Sequence, residues 1–130
     1  MPANTTPIFE VTPFFKGTTF QNADSTSKKT LYTAGTNGSR VDMLAISSDD
    51  TTAVNLAIYV SDGTTDHYIG NLNIPAGTGF TTVSRMDGIT TLAPSLGYIV
   101  LAPSWLLKAN TVAVVTSAKT VHAIAMGGDY

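Results

Sequence analysis

One eight-residue run constrains this chain more than any other: Ala53-Val54-Asn55-Leu56-Ala57-Ile58-Tyr59-Val60, in which Val54, Leu56, Ile58 and Val60 share one face. A two-residue apolar period marks an extended strand with one buried side, because successive side chains of a strand point in opposite directions. Comparable short pieces recur along the chain. They are Thr30–Thr33, Arg40–Ser47, Tyr68 to Ile74, Gly79–Val83, Tyr98–Leu101, the apolar piece at Trp105-Leu106-Leu107, Val112–Thr116 and Val121–Met126. In Arg40–Ser47 the alternation predicts Val41, Met43 and Ala45 on one face with Leu44 and Ile46 on the other. Tyr68, Gly70, Leu72 and Ile74 are expected together on a single face.

Turn chemistry separates the pieces. Asn37-Gly38 and Asp62-Gly63 tolerate positive φ, and Ser48–Thr52, Pro75-Ala76-Gly77 and Ser117–Lys119 are polar or breaking stretches. Gly88 to Gly97, which contains Pro94, reads as a loop with at most a helical turn. No segment carries a sustained 3.6-residue period. Strands at intervals of roughly 8–12 residues predict an all-β fold, a two-sheet antiparallel β-sandwich of jelly-roll type with about eight strands.

Residues 1–28 differ from the rest. Pro2, Pro7 and Pro13 punctuate a stretch that holds Phe9, Phe14, Phe15 and Phe20. Proline forbids helix continuation, so the segment is expected as an extended N-terminal arm (1–28) ahead of a β-sandwich domain (29–130). A Phe-rich arm with few charges either clasps a neighbouring subunit or covers its own core. On the first alternative, Phe9, Phe14, Phe15, Phe20 and also Trp105 are the expected partner contacts. Removal of residues 1–20 would then abolish partner binding and leave the domain folded.

Composition limits the chemistry. The chain has 130 residues, enough for one domain with a real core. Charged residues make up 12%, about half the usual share of about 25%. Much of the surface is therefore neutral Thr, Ser, Asn and Gly, weakly protected against association. A net charge of -2 with seven basic residues argues against a nucleic-acid partner. Zero cysteines exclude disulfides, thiolate metal sites and a cysteine nucleophile. No apolar run approaches the ~20 residues of a membrane-spanning helix. The start, Met1-Pro2-Ala3-Asn4, lacks the basic and apolar segments of a signal peptide, so synthesis in the cytoplasm is expected.

No catalytic constellation emerges, and no enzyme, cofactor or metal is expected. His122 alternates with Val121, Ala123 and Ala125 and is expected to face away from them. His67 follows Asp66 directly, and adjacent strand residues point apart, a poor geometry for a charge relay. Asp49, Asp50, Asp62 and Asp66 sit where turns favour aspartate, without the closing glutamate of a twelve-residue calcium loop. Ala76-Gly77-Thr78-Gly79 lacks the lysine and helix of a phosphate loop. Tyr59, Tyr68, Tyr98 and Trp105 offer aromatic faces to a sugar, although strand tyrosines commonly serve cross-strand packing.

Three stretches carry a family resemblance. They are Leu31-Tyr32-Thr33-Ala34-Gly35-Thr36-Asn37-Gly38-Ser39-Arg40-Val41-Asp42, the strand-then-turn Ile69-Gly70-Asn71-Leu72-Asn73-Ile74-Pro75-Ala76, and the ending Val121-His122-Ala123-Ile124-Ala125-Met126-Gly127-Gly128-Asp129-Tyr130. Over residues 30–130 the chain resembles small virion proteins of tailed bacteriophages, of the capsid decoration or cement type. Arg85 to Leu96 and the arm before Lys28 depart from that pattern. The resemblance implies a non-enzymatic structural protein on the capsid surface of the virion. Its partners would be the major capsid protein and further copies of itself, as a dimer or trimer. A neck, tail or fibre component, or a carbohydrate-binding jelly roll for host attachment, are the alternative readings.

Overall fold

A computed structural model describes residues 9–130; the first eight residues of the expected arm, Pro2 and Pro7 among them, lie outside the described residues. The elements are β1 (Thr12–Gln21), a 3₁₀ turn (Asn22–Asp24), β2 (Lys29–Thr33), β3 (Ser39–Ser48), β4 (Val54–Ser61) and β5 (Asp66–Ile74). After these come β6 (Met86–Asp87), helix α1 (Gly88–Leu92), β7 (Ile99–Leu101), β8 (Leu106–Thr111) and β9 (Thr120–Asp129). One sheet runs β1-β9-β3, with both β6 and β7 on the far edge of β3. The other runs β2-β8-β4-β5. Every pairing is antiparallel.

The pairs nest: β1 with β9, β2 with β8, β3 with β7 and β6, β4 with β5. This is a long hairpin wound into two sheets, the jelly roll expected from the strand spacing, with one of its eight strand positions split between β6 and β7. Between the sheets, Leu44, Ile46 and Val121 meet Leu31, Leu56, Ile58, Leu72 and Leu107, all fully buried. Ile89 of α1 closes one side of this core. Asp87 caps that helix by accepting from Ile89 N–H at 3.0 Å.

Several local expectations give way to tertiary structure. A bulge between Val41 and Met43 opposes two residues to one and reverses the facing of β3. Val41 therefore joins Leu44 and Ile46 in the core, while Met43 turns outward with Ala45. A second bulge between Ile58 and Tyr59 brings Tyr59 opposite Tyr68 and leaves Ile69 as the extra residue of β5. Tyr68 consequently leaves the face of Leu72 and Ile74 and stands 61% exposed. Gly79–Val83 is a turn, not a strand. Gly77 and Gly79 take φ of 69° and 79°, and the Thr81 hydroxyl donates to the Gly77 carbonyl. Val112–Thr116 is also irregular; the strand is Leu106–Thr111 instead, and the Thr116 N–H binds Asp50 in place of a ladder partner.

The segment expected as an arm is, from Thr12 onward, a strand of the sandwich. Phe20 lies in the core, 1% exposed. Phe14 stacks on Tyr32 of β2 with centroids 3.6 Å apart and an 11° interplanar angle. The covering alternative holds for these two rings. Loss of residues 1–20 would remove β1 and open the core, so that truncation does not separate binding from folding.

Two polar devices close the ends of the sandwich. At one, Asp50, 1% exposed, accepts from the N–H and hydroxyl of Thr52 and from the N–H and hydroxyl of Thr116, at 2.8–3.0 Å. It ties the β3–β4 turn to the β8–β9 connection. Burial works against its ionisation, but the hydrogen bonds from Thr116 and Thr52 outweigh that cost and hold its carboxyl down at about 2. At the other end, consecutive glycines make room. A Cβ at Gly127 would run into the backbone carbonyl of Arg40 and stand 3.0 Å from the Phe14 ring. One at Gly128 would press on the Glu10 side chain, at its carboxylate and 2.8 Å from its Cβ. Glu10 in turn pairs with Arg40 at 2.8 Å.

Asp50→Ala should lower stability by roughly 2–4 kcal/mol near neutrality, since it removes four hydrogen bonds to a buried carboxylate, two of them from backbone N–H groups. The folded pKa lies below the unfolded one, so the contribution is complete above about pH 5 and fades as pH falls toward 2. Urea unfolding across this range should show a gap between wild type and variant that shrinks below about pH 4. A gap unchanged down to pH 2 would refute the role of the ionised carboxylate. The two glycines should also differ. Gly127→Ala presses on backbone and should cost about 1–3 kcal/mol. Gly128→Ala displaces a side chain whose ion pair is worth at most about 1 kcal/mol. Equal losses in unfolding experiments would contradict this account.

Candidate interaction face

The outer side of β1-β9-β3 is an apolar strip built from cross-strand rows. Phe15, Met126 and Met43 form one row, and Gly17, Ile124 and Ala45 the next. A third row is Thr19, His122 and Ser47. The local logic is the alternation of β9: Val121, Ala123 and Ala125 are buried inward, so His122, Ile124 and Met126 must face outward. Phe15 is 68% exposed. No atom lies within 4 Å of where a Cβ of Gly17 would stand, so the strip is flat beside it. These three rows contain no carboxylate, lysine or arginine.

An ionic rim borders the strip. Arg40 of β3 pairs with Glu10 and, at 2.7 Å, with Asp42, and its guanidinium lies 4.7 Å over the Tyr98 ring. Phe9, Glu10, Arg40 and Tyr130 line a shallow depression there. Exposed apolar side chains continue around it: Phe9, Val11 and, opposite Arg40 on β7, Val100. Each cation in this rim already has an acidic partner, so the region offers shape and apolar surface more than net charge.

The residues expected to contact a partner do not form one surface. Phe9 and Phe15 are exposed at the strip and its rim. Phe14 is half-buried against Tyr32, and Phe20 is sealed in the core and presents nothing to a partner. Trp105 belongs to the entry of β8 in the other sheet, half-buried and stacked on His67 at 6.0 Å. Met43, Ile124, Met126, Val11 and Val100 were not anticipated. The outward alternation of β9 was visible beforehand, and it identifies Ile124 and Met126; the bulge that turns Met43 outward was not.

The titratable side chains are dispersed. His67 and His122 lie in different sheets, His67 with Asp62 at 3.9 Å and His122 beside the Phe80 ring at 6.3 Å. Asp62 is engaged by the N–H groups of Thr64 and Thr65, which lower its pKa. No group of three or more His, Asp or Glu side chains suited to a metal ion occurs among the described residues. No helix there is long and apolar enough to cross a membrane.

The chain matches no family model, and no curated protein matches it. Its fold is similar to a chain in the acidic stable capsid structure of Helicobacter pylori bacteriophage KHP30. The TM-score is 0.58 with 13% sequence identity, over 92% of this chain and 90% of that one. At that identity the likeness is one of fold, and it extends over most of both chains.

Proposed function

We propose that this protein is a structural virion component of a bacteriophage, a decoration or cement protein that binds the outside of the capsid shell. It would bridge neighbouring capsomers and oppose the outward pressure of packaged DNA. The observation that carries this reading is the flat, uncharged apolar strip around Phe15, Met43, Ile124 and Met126. A jelly roll similar to a chain of a phage capsid structure supports it. The partners are then the major capsid protein and adjacent copies of this chain. The docking surface is the outer side of β1-β9-β3, with Phe9 and Phe15 from the expected contacts; Trp105 lies elsewhere.

Magnitudes favour many weak contacts over one strong one. Three strands about 4.8 Å apart and five residues long present a strip of roughly 240 Å². A stable pairwise interface buries about 800 Å² per partner. At about 25 cal/mol/Å² the strip supplies at most about 6 kcal/mol, no more than the freedom lost on association. A single copy would bind weakly. Copies that also touch one another on a symmetric lattice gain by multivalency, which suits a cement better than a solitary adaptor.

Purified protein added back to particles lacking it should bind in hundreds of copies. Phe15→Asp and Ile124→Asp should each weaken binding about 30-fold, the effect of losing roughly 2 kcal/mol at an interface anchor. Neither side chain is in the core, so melting temperatures should stay close to wild type. Undiminished binding by both variants would overturn the assignment of this face. A handful of copies per particle would point to a neck, tail or fibre position instead.

A further inference from the structure

The opposite sheet presents a chemically different surface. On the outer side of β4, β5 and β8, Asn55 lies opposite Asn73, Ala57 lies between Asn71 and Asn110, and Tyr59 lies between Tyr68 and Lys108. The amides form a cluster: Asn73 Nδ2 donates to Asn55 Oδ1 at 3.0 Å and Asn71 Nδ2 approaches the same oxygen at 3.5 Å. Both exposed amides keep their carbonyl oxygens outside this arrangement. Asn110 Oδ1 has no donor among the described residues. Tyr59 and Tyr68 meet edge to face at 5.7 Å, and Lys28 covers Tyr59 at 4.0 Å, leaving the exposed Tyr68 ring as the open aromatic surface.

Charge selects the ligand class. Lys28 and Lys108 both point to Asp66, at 2.9 and 3.4 Å. The hydrogen bond from Lys28 and then that from Ser61 hold the Asp66 carboxyl at about 2, so two ammonium groups share one ionised carboxylate and both are directed at it. A phosphate or carboxylate ligand would have to draw an ammonium away from Asp66, and neither lysine is directed at the asparagines. An apolar partner face would leave the asparagine carbonyl oxygens without donors, an unfavourable burial of polar groups. A neutral polyhydroxyl ligand suits both features, because its hydroxyls donate and accept against amides while its C–H face lies on an aromatic ring. From the Tyr59 row to the Asn55 row the strip runs four residues, about 13 Å, room for two or three sugar units.

We propose that the Tyr59, Tyr68, Asn55, Asn71 and Asn73 face binds a neutral glycan. The site goes beyond the capsid-docking reading and does not rest on it. It lies on the sheet opposite the apolar strip, so both surfaces can be occupied at once.

The test is binding of the full chain to an immobilised array of uncharged oligosaccharides built from glucose, galactose, mannose and N-acetylglucosamine, two to four units long. Retention on at least one class is expected. Tyr68→Ala and Asn71→Ala should each reduce it about tenfold or more, since one aromatic stack or one amide pair is worth about 1.4 kcal/mol. Tyr68→Phe should largely restore it by keeping the ring. Both positions are exposed, so unfolding midpoints report independently that the fold is intact. Phe15→Asp should leave glycan retention unchanged, which separates failure here from failure of capsid docking. The proposal is overturned by absence of retention on the whole array, by retention that survives Tyr68→Ala and Asn71→Ala, or by selective binding of anionic glycans.

Discussion

The structure depends on β9 being hydrogen-bonded along both edges, to β1 on one side and β3 on the other. Pairing the last strand with the first closes the nested hairpin, and it sets severe limits on what β9 can contain. Its inward positions are Val121, Ala123, Ala125 and Gly127, small enough for the larger rings of β1 to come in beside them. Phe20 reaches the core next to Val121, and Phe14 passes Gly127 to lie on Tyr32. Tyr32 donates to Asp129 at 2.8 Å. Burial, and next the Asp129 carboxylate, push the Tyr32 phenol up to about 12, so this link stays protonated through the whole neutral range. Small residues inside β9 thus let a neighbouring strand supply the bulk, and β1 becomes part of the domain.

That arrangement explains which features were legible beforehand. Alternation located β4 and β9 closely and identified the jelly roll, because period-two patterns survive wherever a strand is straight and half buried. It failed where a strand bends. The bulges at Asp42 and Ile69 each move one residue across the sheet, and no local residue type announces them. Val112–Thr116 looks like a strand by composition, but Asp50, more than sixty residues earlier, takes the Thr116 N–H. In the first segment the chain is extended over Thr12–Gln21, and its packing onto the domain depends on Gly127, more than a hundred residues later, which leaves room for Phe14. Candidate contacts chosen by aromatic content therefore mixed exposed Phe9 and Phe15 with core-bound Phe20. The apolar strip draws Phe15, Met43 and Met126 from three distant stretches, so only strand order reveals it.

The distribution of charge separates the two outer faces. Asp24 takes Lys29, Asp66 takes Lys28 and Lys108, and Arg40 takes Glu10 and Asp42. With only seven lysines and arginines in the chain, these pairs leave little charge to protect exposed apolar surface. Exposed ion pairs of this kind add little stability in themselves. Their effect is to place charge at one end of the β1-β9-β3 strip and along the opposite sheet, while the strip itself carries none.

An uncharged strip beside an edge strand is normally a hazard, since β1 has a partner on one side only. The edge is blunted at its ends. Pro13 has no N–H to offer, the Thr19 carbonyl accepts from Lys29 Nζ at 2.5 Å, and the Gln21 N–H donates to Asp24 at 2.8 Å. Sheet extension through β1 is thereby restricted to its middle, around Phe15 and Gly17. The same devices leave the outer face untouched. That face keeps Phe15 exposed, with Ile124 and Met126 half-buried beside it. On the proposed capsid-docking reading, a guarded edge and an apolar outer face would favour face-on contact over strand addition.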